Sequence, residues 1–382
     1  MKATQPTTLF KKESNGSSFR IPSLIYVKQE HMFLAFAEKR RGENDVDAEY
    51  LVMRRGIFKT GFVEWEGVQS LHDLCPTDQR MMNPCPVYEE STKTVFLFFN
   101  SIPKGMEEKS MRKWGNSSKL CYSTSKDCGK TWSPVTDITD VLNSVHCMAT
   151  FYLSPGHGIQ THSGALVIPA YVFTAKCWCI QWCCTKPHSL YLYSENQGAS
   201  WKLSELIEKL ECGESQVAEI ICEDNRRMLY CNARTTSSYR VEALMLSVGG
   251  EFKMADKSRK LKETANGGCG GSVLSVPGIG QSDEGSDWLV FSHPAKKERK
   301  DLSIFLNKTP LMSETWSKPW VIHEGPAGYS DLAYCHEDHT FAVLYESGTQ
   351  SPYEEINFCL LTVEDVLENI NKKKSFFARF KK

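Results

Sequence analysis

Two stretches of the sequence share one turn pattern: SKDCGKTW at residues 125–132 and SENQGASW at residues 194–201. Both fit S-x-D/N-x-G-x-x-W, each follows a strand-like run, and SVGGEF at residues 247–252 is a weaker third copy. In such a turn the Asp or Asn side chain bonds to the turn backbone, the Gly takes a positive φ and the aromatic ring packs into the core beside it. The pattern therefore predicts repeated β-hairpins.

Aromatic residues extend this repeat along the chain. Five of them follow strand-like segments at intervals of 51 to 69 residues: Trp65, Trp132, Trp201, Phe252 and Trp316. Between them lie short runs rich in β-branched and aromatic residues, such as FLAFAE, TVFLFFN and FAVLYES. Repeat units of about 64 residues divide the 382 residues into six. We predict an all-β fold, a six-bladed β-propeller in a single domain over residues 1–382, with a pair of β-sandwiches as the alternative.

Few segments have the period of a helix. Val363–Ile370 carries apolar residues at i, i+3, i+4 and i+7 and predicts a helix, and residues 203–210 are a weaker candidate.

Composition excludes several classes of protein. The chain is 41% hydrophobic and 24% charged, which is typical of a folded protein, and its net charge of -1 gives no basic excess for nucleic acid. No apolar run reaches the length of a membrane span, and the N-terminus has no secretory signal, so we expect the 15 cysteines to be reduced thiols. Phosphate-loop, dinucleotide and zinc-ligand spacings are absent, and we predict neither a metal nor a cofactor.

Motifs spread over residues 18–362 resemble the vertebrate exo-α-sialidase (neuraminidase) family. They are FRIP at 19–22, LAFAEKR at 34–40, MNPCP at 82–86, the two turns above (Asp-boxes in that family), VAE at 217–219, NAR at 232–234 and GYSDL at 328–332. Details such as KPHSLYLYS at 186–194 look most similar to the membrane-associated ganglioside branch, with the cytosolic branch as the nearest alternative. The resemblance implies a six-bladed propeller with Asp-box turns.

The resemblance also implies the residues that hold the substrate. Sialic acid bears a carboxylate on its anomeric carbon, and guanidinium groups suit planar carboxylates. The matching arginines are Arg20, Arg234 and Arg299, and Glu346 is expected to orient Arg20.

The catalytic residues are implied in the same way. Tyr329 matches the nucleophile, since a neutral phenol avoids the repulsion that a carboxylate would meet at this anionic centre. Glu219 matches the base that activates the phenol, and Asp45 matches the acid that protonates the leaving oxygen, with Asp47 as the alternative.

Four further residues match positions around the substrate's glycerol, N-acyl and ring hydroxyl groups: Arg40, Met82, Glu107 and Tyr171. Two positions depart from the family pattern. Phe173 stands where relatives have Tyr, and Gly270 stands where they have Gln. Both changes remove hydrogen-bonding groups on the expected glycerol or aglycone side, so they bear on substrate preference.

We predict a retaining exo-α-sialidase that removes sialic acid from glycolipids, oligosaccharides or glycoproteins, with gangliosides preferred. The alternatives are a soluble cytosolic sialidase and a non-catalytic sialic-acid-binding propeller. A peripheral membrane location is expected, with the cytoplasm as the alternative. Two segments could contact a membrane: the Trp- and Cys-rich insert at residues 177–184, with Cys177, Cys179, Cys183 and Cys184, and the basic tail at about 371–382.

Overall fold

The computed structural model describes residues 4–175, 185–222, 224–279, 286–335 and 339–372. The two segments predicted to contact a membrane lie outside the described residues, except that the tail is described as far as Lys372. The described chain forms strands β1 to β25, short 3-10 turns and two helices, α1 (Glu108–Trp114) and α2 (Val363–Ile370).

Neighbouring strands in the sequence pair with one another, so that the sheets follow in chain order. The first sheet contains β2 (Ser18–Val27), β3 (Met32–Arg40), β4 (Ala48–Lys59), β5 (Phe62–Trp65) and β6 (Gln69–Ser70), with β6 on β4. The second contains β7 (Gln79–Glu89), β8 (Thr94–Pro103), β9 (Lys119–Ser125) and β10 (Thr136–Asp137). The third contains β11 (Met148–Leu153), β12 (Ile159–Gln160), β13 (Leu166–Ala175), β14 (Thr185–Ser194) and β15 (Lys202–Leu203). In this sheet β11 and β12 both pair with β13.

The fourth sheet contains β16 (Ser215–Ile221), β17 (Arg227–Ala233), β18 (Tyr239–Met245) and β19 (Phe252–Lys262). The last sheet has seven strands: β20 (Ser272–Pro277), β21 (Asp287–Pro294), β22 (Lys300–Asn307), β23 (Trp320–Tyr334), β24 (Thr340–Ser347), β25 (Glu355–Thr362) and β1 (Thr7–Lys11). Within it β23 changes partner, since its residues 320–326 pair with β22 and its residues 327–334 pair with β24. All these strand pairs are antiparallel, as short connections require.

The sheets form a ring. β2 contacts β7, β7 contacts β11, and β16 lies between β13 and β20. β23 then contacts both β20 and β2, which closes the circle of inner strands. N-terminal β1 pairs with β25, so the two ends of the chain share one sheet. The prediction of an all-β propeller is confirmed.

Burial on both faces explains the apolar runs in the sequence. All nine residues of β3 and all eight of β24 are buried, because each sheet packs against a sheet on either side. Such strands read as continuous apolar segments instead of alternating ones.

The five spaced aromatics pack as predicted, each against a different apolar cluster of the core. The two clear turns also make the predicted bonds. Asp127 accepts a hydrogen bond from the backbone N–H of Thr131 at 2.9 Å, and Asn196 does the same for Ser200. Gly129 and Gly198 have φ values of 83° and 85°. The aromatic spacing therefore follows the spacing of the core clusters.

One of the two helix predictions is confirmed. Thr362 caps α2 by accepting a hydrogen bond from the N–H of Asp365. The prediction for residues 203–210 is wrong. Their backbone N–H groups bond to the neighbouring strand β14 instead, Ser204 to the carbonyl of Tyr191 and Ile207 to that of Ser189. Helix α1 was not predicted, because its sequence EKSMRKW has no apolar stripe.

Candidate active site

Arg20 is held beside Tyr329 by a buried carboxylate. Glu346 accepts bonds from Nε of Arg20 at 2.7 Å and from Nη2 at 3.4 Å, and both side chains are buried. The same carboxylate accepts the backbone N–H groups of Ile21 and Tyr329, each at 2.9 Å. Glu346 thus joins three strands and fixes the first arginine and the tyrosine relative to each other.

The phenol of Tyr329 lies between a carboxylate and a second arginine. Its oxygen is 2.6 and 2.7 Å from the two carboxylate oxygens of Glu214 and 2.6 Å from Nη1 of Arg234. Arg234 also donates to Glu214 at 2.5 Å and to the carbonyl of Gly267 at 2.8 Å. The single phenol proton therefore points at Glu214, while Arg234 donates to the phenol oxygen.

Arg299 completes the group of three arginines. It donates to the hydroxyl of Tyr353 at 3.2 Å and to the carbonyl of Gly268 at 3.1 Å, and its guanidinium lies 5.3 Å from the centre of the Tyr329 ring. The Arg20 guanidinium lies 5.9 Å from the same centre. Three positive charges in one place attract a ligand carboxylate, and their guanidinium forks match its geometry.

Burial and charge keep the phenol protonated in the resting protein. Removal from water raises the pKa of Tyr329 well above the usual value, and the negative Glu214 adds to this effect against the opposing influence of Arg234. A partner that accepts the proton during the reaction is therefore required.

The structure does not bring Glu219 to the phenol, and that assignment is wrong. Glu219 lies within β16, where it accepts the backbone N–H of His162 at 2.8 Å and an Nη1 hydrogen of Arg227 at 3.4 Å. Glu214 precedes the same strand by one residue. Glu219 is five residues further along the chain than Glu214, so at about 3.3 Å per residue it lies roughly 16 Å away along the strand.

Strand pairing could have identified Glu214 from the sequence. β16 and β17 are antiparallel, with Ser215 opposite Ala233. The residue before Ser215 therefore lies beside the residue after Ala233, which is Arg234. A register argument from the NAR motif would have selected the glutamate of CGES and excluded that of VAE.

Asp45 lies at the opening of the site and is paired with Arg40. Its Oδ1 accepts a hydrogen bond from Nη1 of Arg40 at 2.8 Å, while Glu38 accepts one from Nε of the same arginine at 2.8 Å. The Asp45 side chain is 73% exposed. The carbonyl of Glu43 accepts hydrogen bonds from Arg40 at 3.1 Å and from Arg20 at 3.3 Å. This carbonyl links the loop that carries Asp45 to the arginine group.

The charge of Asp45 is stabilised in the free protein. Desolvation in the cleft raises the pKa of its carboxyl, but the positive charges of Arg40, Arg20 and Arg80 outweigh that effect, so the pKa lies below the ordinary value. The carboxylate of the alternative residue, Asp47, accepts a hydrogen bond from the backbone N–H of Asn44 at 3.2 Å, within the same turn.

Met82 and Tyr171 line one side of the site. Both are buried in one apolar cluster, and the Tyr171 ring stacks on Tyr152 with centroids 5.6 Å apart. Arg80 donates to the sulfur of Met82 at 2.6 Å. Buried aromatic and thioether groups of this kind give a site an apolar wall.

The structure shows no contact between Glu107 and the other site residues that it describes, and the next residue, Glu108, accepts a hydrogen bond from Nη1 of Arg112 at 3.4 Å. Glu107 is the exposed N-cap residue of α1. Burial raises the pKa of Glu108, and the charges of Asp45 and Glu214 add to this, while Arg112 opposes it. The sequence could not separate these adjacent glutamates, because the choice depends on where α1 begins.

The two departures from the family pattern lie at defined contacts. Phe173 packs under the guanidinium of Arg112, which is 4.3 Å from its ring centre. Gly270 lies against Tyr329, and a Cβ added there would be 2.6 Å from the ring carbons Cδ2 and Cε2. Gly270 therefore permits close packing beneath the tyrosine.

Within the described ranges, no group of three or more His, Cys, Asp or Glu side chains could hold a metal ion. The cysteines that the structure describes are free thiols. In the same part of the chain, neither helix has the length and apolar character to cross a membrane.

Comparisons with known proteins identify the family and the fold. Residues 31–341 match the family model described as BNR repeat-like domain. The chain is 39% identical to Sialidase-3 of Mus musculus over 94% of this chain and 95% of that protein. It is 35% identical to Sialidase-2 of Mus musculus over 96% of this chain and 97% of that protein. Among solved structures, Hadza microbial sialidase Hz136 superposes with a TM-score of 0.74 at 20% identity, covering 94% of this chain and 69% of that one.

Proposed function

The chain belongs to the sialidase family and is an exo-α-sialidase, a glycoside hydrolase, and on this premise we propose that it cleaves terminal sialic acid with retention of configuration through Tyr329. The observation that carries this mechanism is the position of the phenol oxygen, within 2.7 Å of both Glu214 oxygens and 2.6 Å from Arg234. A phenol bonded directly to a carboxylate is an activated nucleophile.

The proposed reaction has two steps. In the first, Tyr329 Oη attacks the anomeric carbon, Glu214 takes the phenol proton, and Asp45 protonates the glycosidic oxygen as its bond breaks. In the second, Asp45 accepts a proton from water, which attacks the same carbon, and the tyrosine leaves and recovers its proton from Glu214. Two displacements at one carbon retain the configuration.

Arg20, Arg234 and Arg299 are proposed to bind the carboxylate of the sugar. This binding orients the anomeric carbon toward Tyr329, because the carboxylate is attached to that carbon. It also offsets the negative charge that would otherwise repel an attacking phenolate.

We also infer that the seven-stranded sheet is two blades, which gives six in all, and that the two clear turns are Asp-box turns. The change of partner along β23 supports the blade count. The bonds of Asp127 and Asn196 support the turn type.

Gangliosides are the proposed substrates, and the proposed location is peripheral to a membrane. The support is the resemblance of motifs such as KPHSLYLYS at residues 186–194 to the membrane-associated branch. Assays of turnover on ganglioside micelles and on a sialylated glycoprotein would test the preference. Higher kcat/KM on the glycoprotein would favour the soluble alternative.

Three variants test the mechanism with a fluorogenic sialoside. Tyr329→Phe and Glu214→Gln should each lower kcat by at least about a hundredfold, because each removes one half of the activated nucleophile. Glu219→Gln is the matched control and should retain wild-type kcat. Loss of activity in Glu219→Gln with retention in Glu214→Gln would contradict the assignment.

Retention and the covalent step can be tested directly. NMR of the first-formed product should show the same anomer as the substrate. A 2,3-difluoro sialic acid should lose its anomeric fluoride to Tyr329, so that the peptide that contains Tyr329 gains the mass of the reagent less HF in the wild type and gains nothing in Tyr329→Phe. A protein that binds sialosides without turning them over would instead be a lectin-like propeller.

A further inference from the structure

Tyr353 contacts two of the three arginines of the site, and the mechanism above gives it no role. The Arg20 guanidinium lies over its ring, with the guanidinium carbon 3.8 Å from the ring centre. Its hydroxyl oxygen accepts a hydrogen bond from Nη1 of Arg299 at 3.2 Å. One side chain therefore connects two guanidinium groups that belong to distant parts of the sequence, β2 and the residue before β22.

Arg299 is held differently from the other two arginines. Arg20 and Arg234 are each paired with a glutamate, whereas Arg299 makes no ion pair with any residue that the structure describes. Within that part of the chain its hydrogen bonds go to two neutral oxygens, the hydroxyl of Tyr353 and the carbonyl of Gly268. Its positive charge is therefore not offset by a paired carboxylate there, and it attracts an anionic ligand more strongly for that reason.

The ring of Tyr353 supports Arg20 from a direction that its other partners leave open. Glu346 binds the guanidinium through Nε at 2.7 Å, and the carbonyl of Glu43 binds Nη1 at 3.3 Å, so both act at its edge. The aromatic ring covers a face, where its electrons attract the cation. Since the positive charges of Arg20 and Arg299 repel each other, a side chain that binds both opposes their separation.

The turn that carries Tyr353 is organised by one carboxylate. It spans residues 348–354 and joins β24 to β25. The Glu354 carboxylate accepts three backbone N–H groups at 2.8–3.0 Å, those of Thr349, Gln350 and Ser351. The N–H of Tyr353 bonds to the hydroxyl of Ser351 at 3.3 Å. These bonds fix the turn in the free protein, so Tyr353 is in place before a ligand binds.

We propose that Tyr353 is a positioning residue for the carboxylate of the substrate, in which the hydroxyl orients Arg299 and the ring orients Arg20. The inference rests on the proposed function, because it requires a sugar carboxylate bound by these arginines. A neutral tyrosine suits the role, since Asp or Glu at this position would pair with Arg299 and compete with the ligand for its charge.

Kinetics on a fluorogenic sialoside separate binding from the chemical step. Tyr353→Phe should raise KM about three- to tenfold, because it removes one hydrogen bond to Arg299, and should change kcat by less than about twofold. Tyr353→Leu also removes the aromatic face and should raise KM further, by about ten- to thirtyfold in all. Equal KM values for the two variants would show that the ring does not orient Arg20.

Binding of two ligands tests whether the effect acts through the carboxylate. The ligands are 2,3-didehydro sialic acid and its methyl ester, which lacks the negative charge. The wild type should bind the acid more tightly than the ester. Tyr353→Phe should raise the Kd of the acid about three- to tenfold and leave that of the ester unchanged. Tyr193→Phe, at a half-buried tyrosine that packs on Tyr191, is the matched control and should change neither value.

The outcomes distinguish this inference from the proposed function. Equal weakening of both ligands in Tyr353→Phe, or no weakening of either, would overturn the positioning role while leaving the sialidase activity in place. A lower kcat with an unchanged KM would overturn it as well. If the wild type bound the acid no better than the ester, the three arginines would not bind a carboxylate, and that part of the proposed function would fail together with the inference.

Discussion

At the scale of the residue, the backbone, the ring and the phenol oxygen of Tyr329 are each fixed by a contact. Its backbone N–H bonds to Glu346, its phenol bonds to Glu214 and Arg234, and its ring lies against Gly270. A nucleophile fixed in this way loses little freedom on reaching the transition state, so small displacements of the ring should affect kcat more than binding.

Gly270→Gln tests this placement. The added Cβ would overlap the ring at 2.6 Å and push the phenol away from Glu214, so we expect kcat to fall about tenfold or more with little change in KM. Gly67→Gln is the matched control, because nothing lies within 4 Å of a Cβ at that position. Wild-type kcat in Gly270→Gln would show that the ring contact is not needed for catalysis.

The low pKa of Asp45 predicts the direction of the pH dependence. The proposed acid must carry a proton, and its carboxyl holds one only at low pH, because Arg40 and Arg20 outweigh the effect of desolvation. kcat/KM should therefore fall as pH rises from about 5 to 8, by up to tenfold per pH unit. The measurement is a pH profile on a sialyl-oligosaccharide.

An aryl sialoside provides the control for this profile. Its leaving group departs without a proton, so Asp45→Asn should retain more activity on it than on the oligosaccharide, and the fall with pH should be weaker. Equal losses on both substrates would show that Asp45 does not act as the proton donor.

Single residues show what the sequence could and could not predict. The family resemblance selected Arg20, Arg234, Arg299 and Tyr329, which the structure brings together. It failed for Glu219, because a motif match does not state how far along a strand a side chain lies. For Glu214 the missing information was the register of β16 on β17, which alternation of residues could have supplied.

At the scale of the element, four strands lose their regular register next to site residues. The irregularities lie between Arg20 and Ser23 in β2, between Met82 and Cys85 in β7, between Lys300 and Leu302 in β22, and between Ala327 and Ser330 in β23. A bulge redirects side chains that would otherwise alternate. The sequence does not give the direction of the polar side chains in these strands, because each bulge changes the alternation locally.

The loop between β19 and β20 depends on one buried carboxylate. Glu263 accepts hydrogen bonds from Arg240 at 2.7 Å and from the N–H of Cys269 at 3.1 Å, and lies 3.4 Å from His293. Burial raises the pKa of Glu263, but these partners outweigh it and lower the pKa to about 2. Since this loop also carries Gly270, Glu263 supports the floor of the site.

Glu263→Gln should therefore destabilise the protein in a pH-dependent way. The folded pKa lies below the unfolded one, so its stabilisation is present above pH about 4.5 and is lost as pH falls toward 2. The shift corresponds to about 3 kcal/mol at pH 7. Urea unfolding at pH 7 and pH 3 measures the difference, with exposed Glu251→Gln as the control. An equal destabilisation at both pH values would contradict the assigned role of the charge.

At the scale of the whole molecule, β1 holds the ring closed. Leu9 and Phe10 are buried in a cluster with residues of β2, β3 and β24, so the first strand contributes to the core between two sheets. A propeller without such a strand would leave the edge of β25 unpaired.

Phe10→Ala tests the closure. Removing this ring from a buried cluster should lower the free energy of unfolding by about 3–5 kcal/mol. Chemical denaturation measures the change, and Thr7→Ala, at an exposed position of the same strand, should have little effect. A small effect of Phe10→Ala would mean that the ring is stable without this contact.

The global fold was the most predictable level. Two clear turn motifs, a weaker third copy and the spaced aromatics indicated a repeated β structure, whereas α1 has no comparable signal. The change of partner within β23 had no signal either, because one continuous strand serves two neighbours.

The pairing of β1 with β25 has a consequence for synthesis on the ribosome. Thr4 bonds to Leu360, which is 356 residues further along the chain. At about 5–20 residues per second, the first strand emerges roughly 20–70 seconds before its partner exists. During that interval the apolar side chains of Leu9 and Phe10 cannot be buried against β25. We therefore expect chaperones to bind the nascent chain until the last strand has been synthesised.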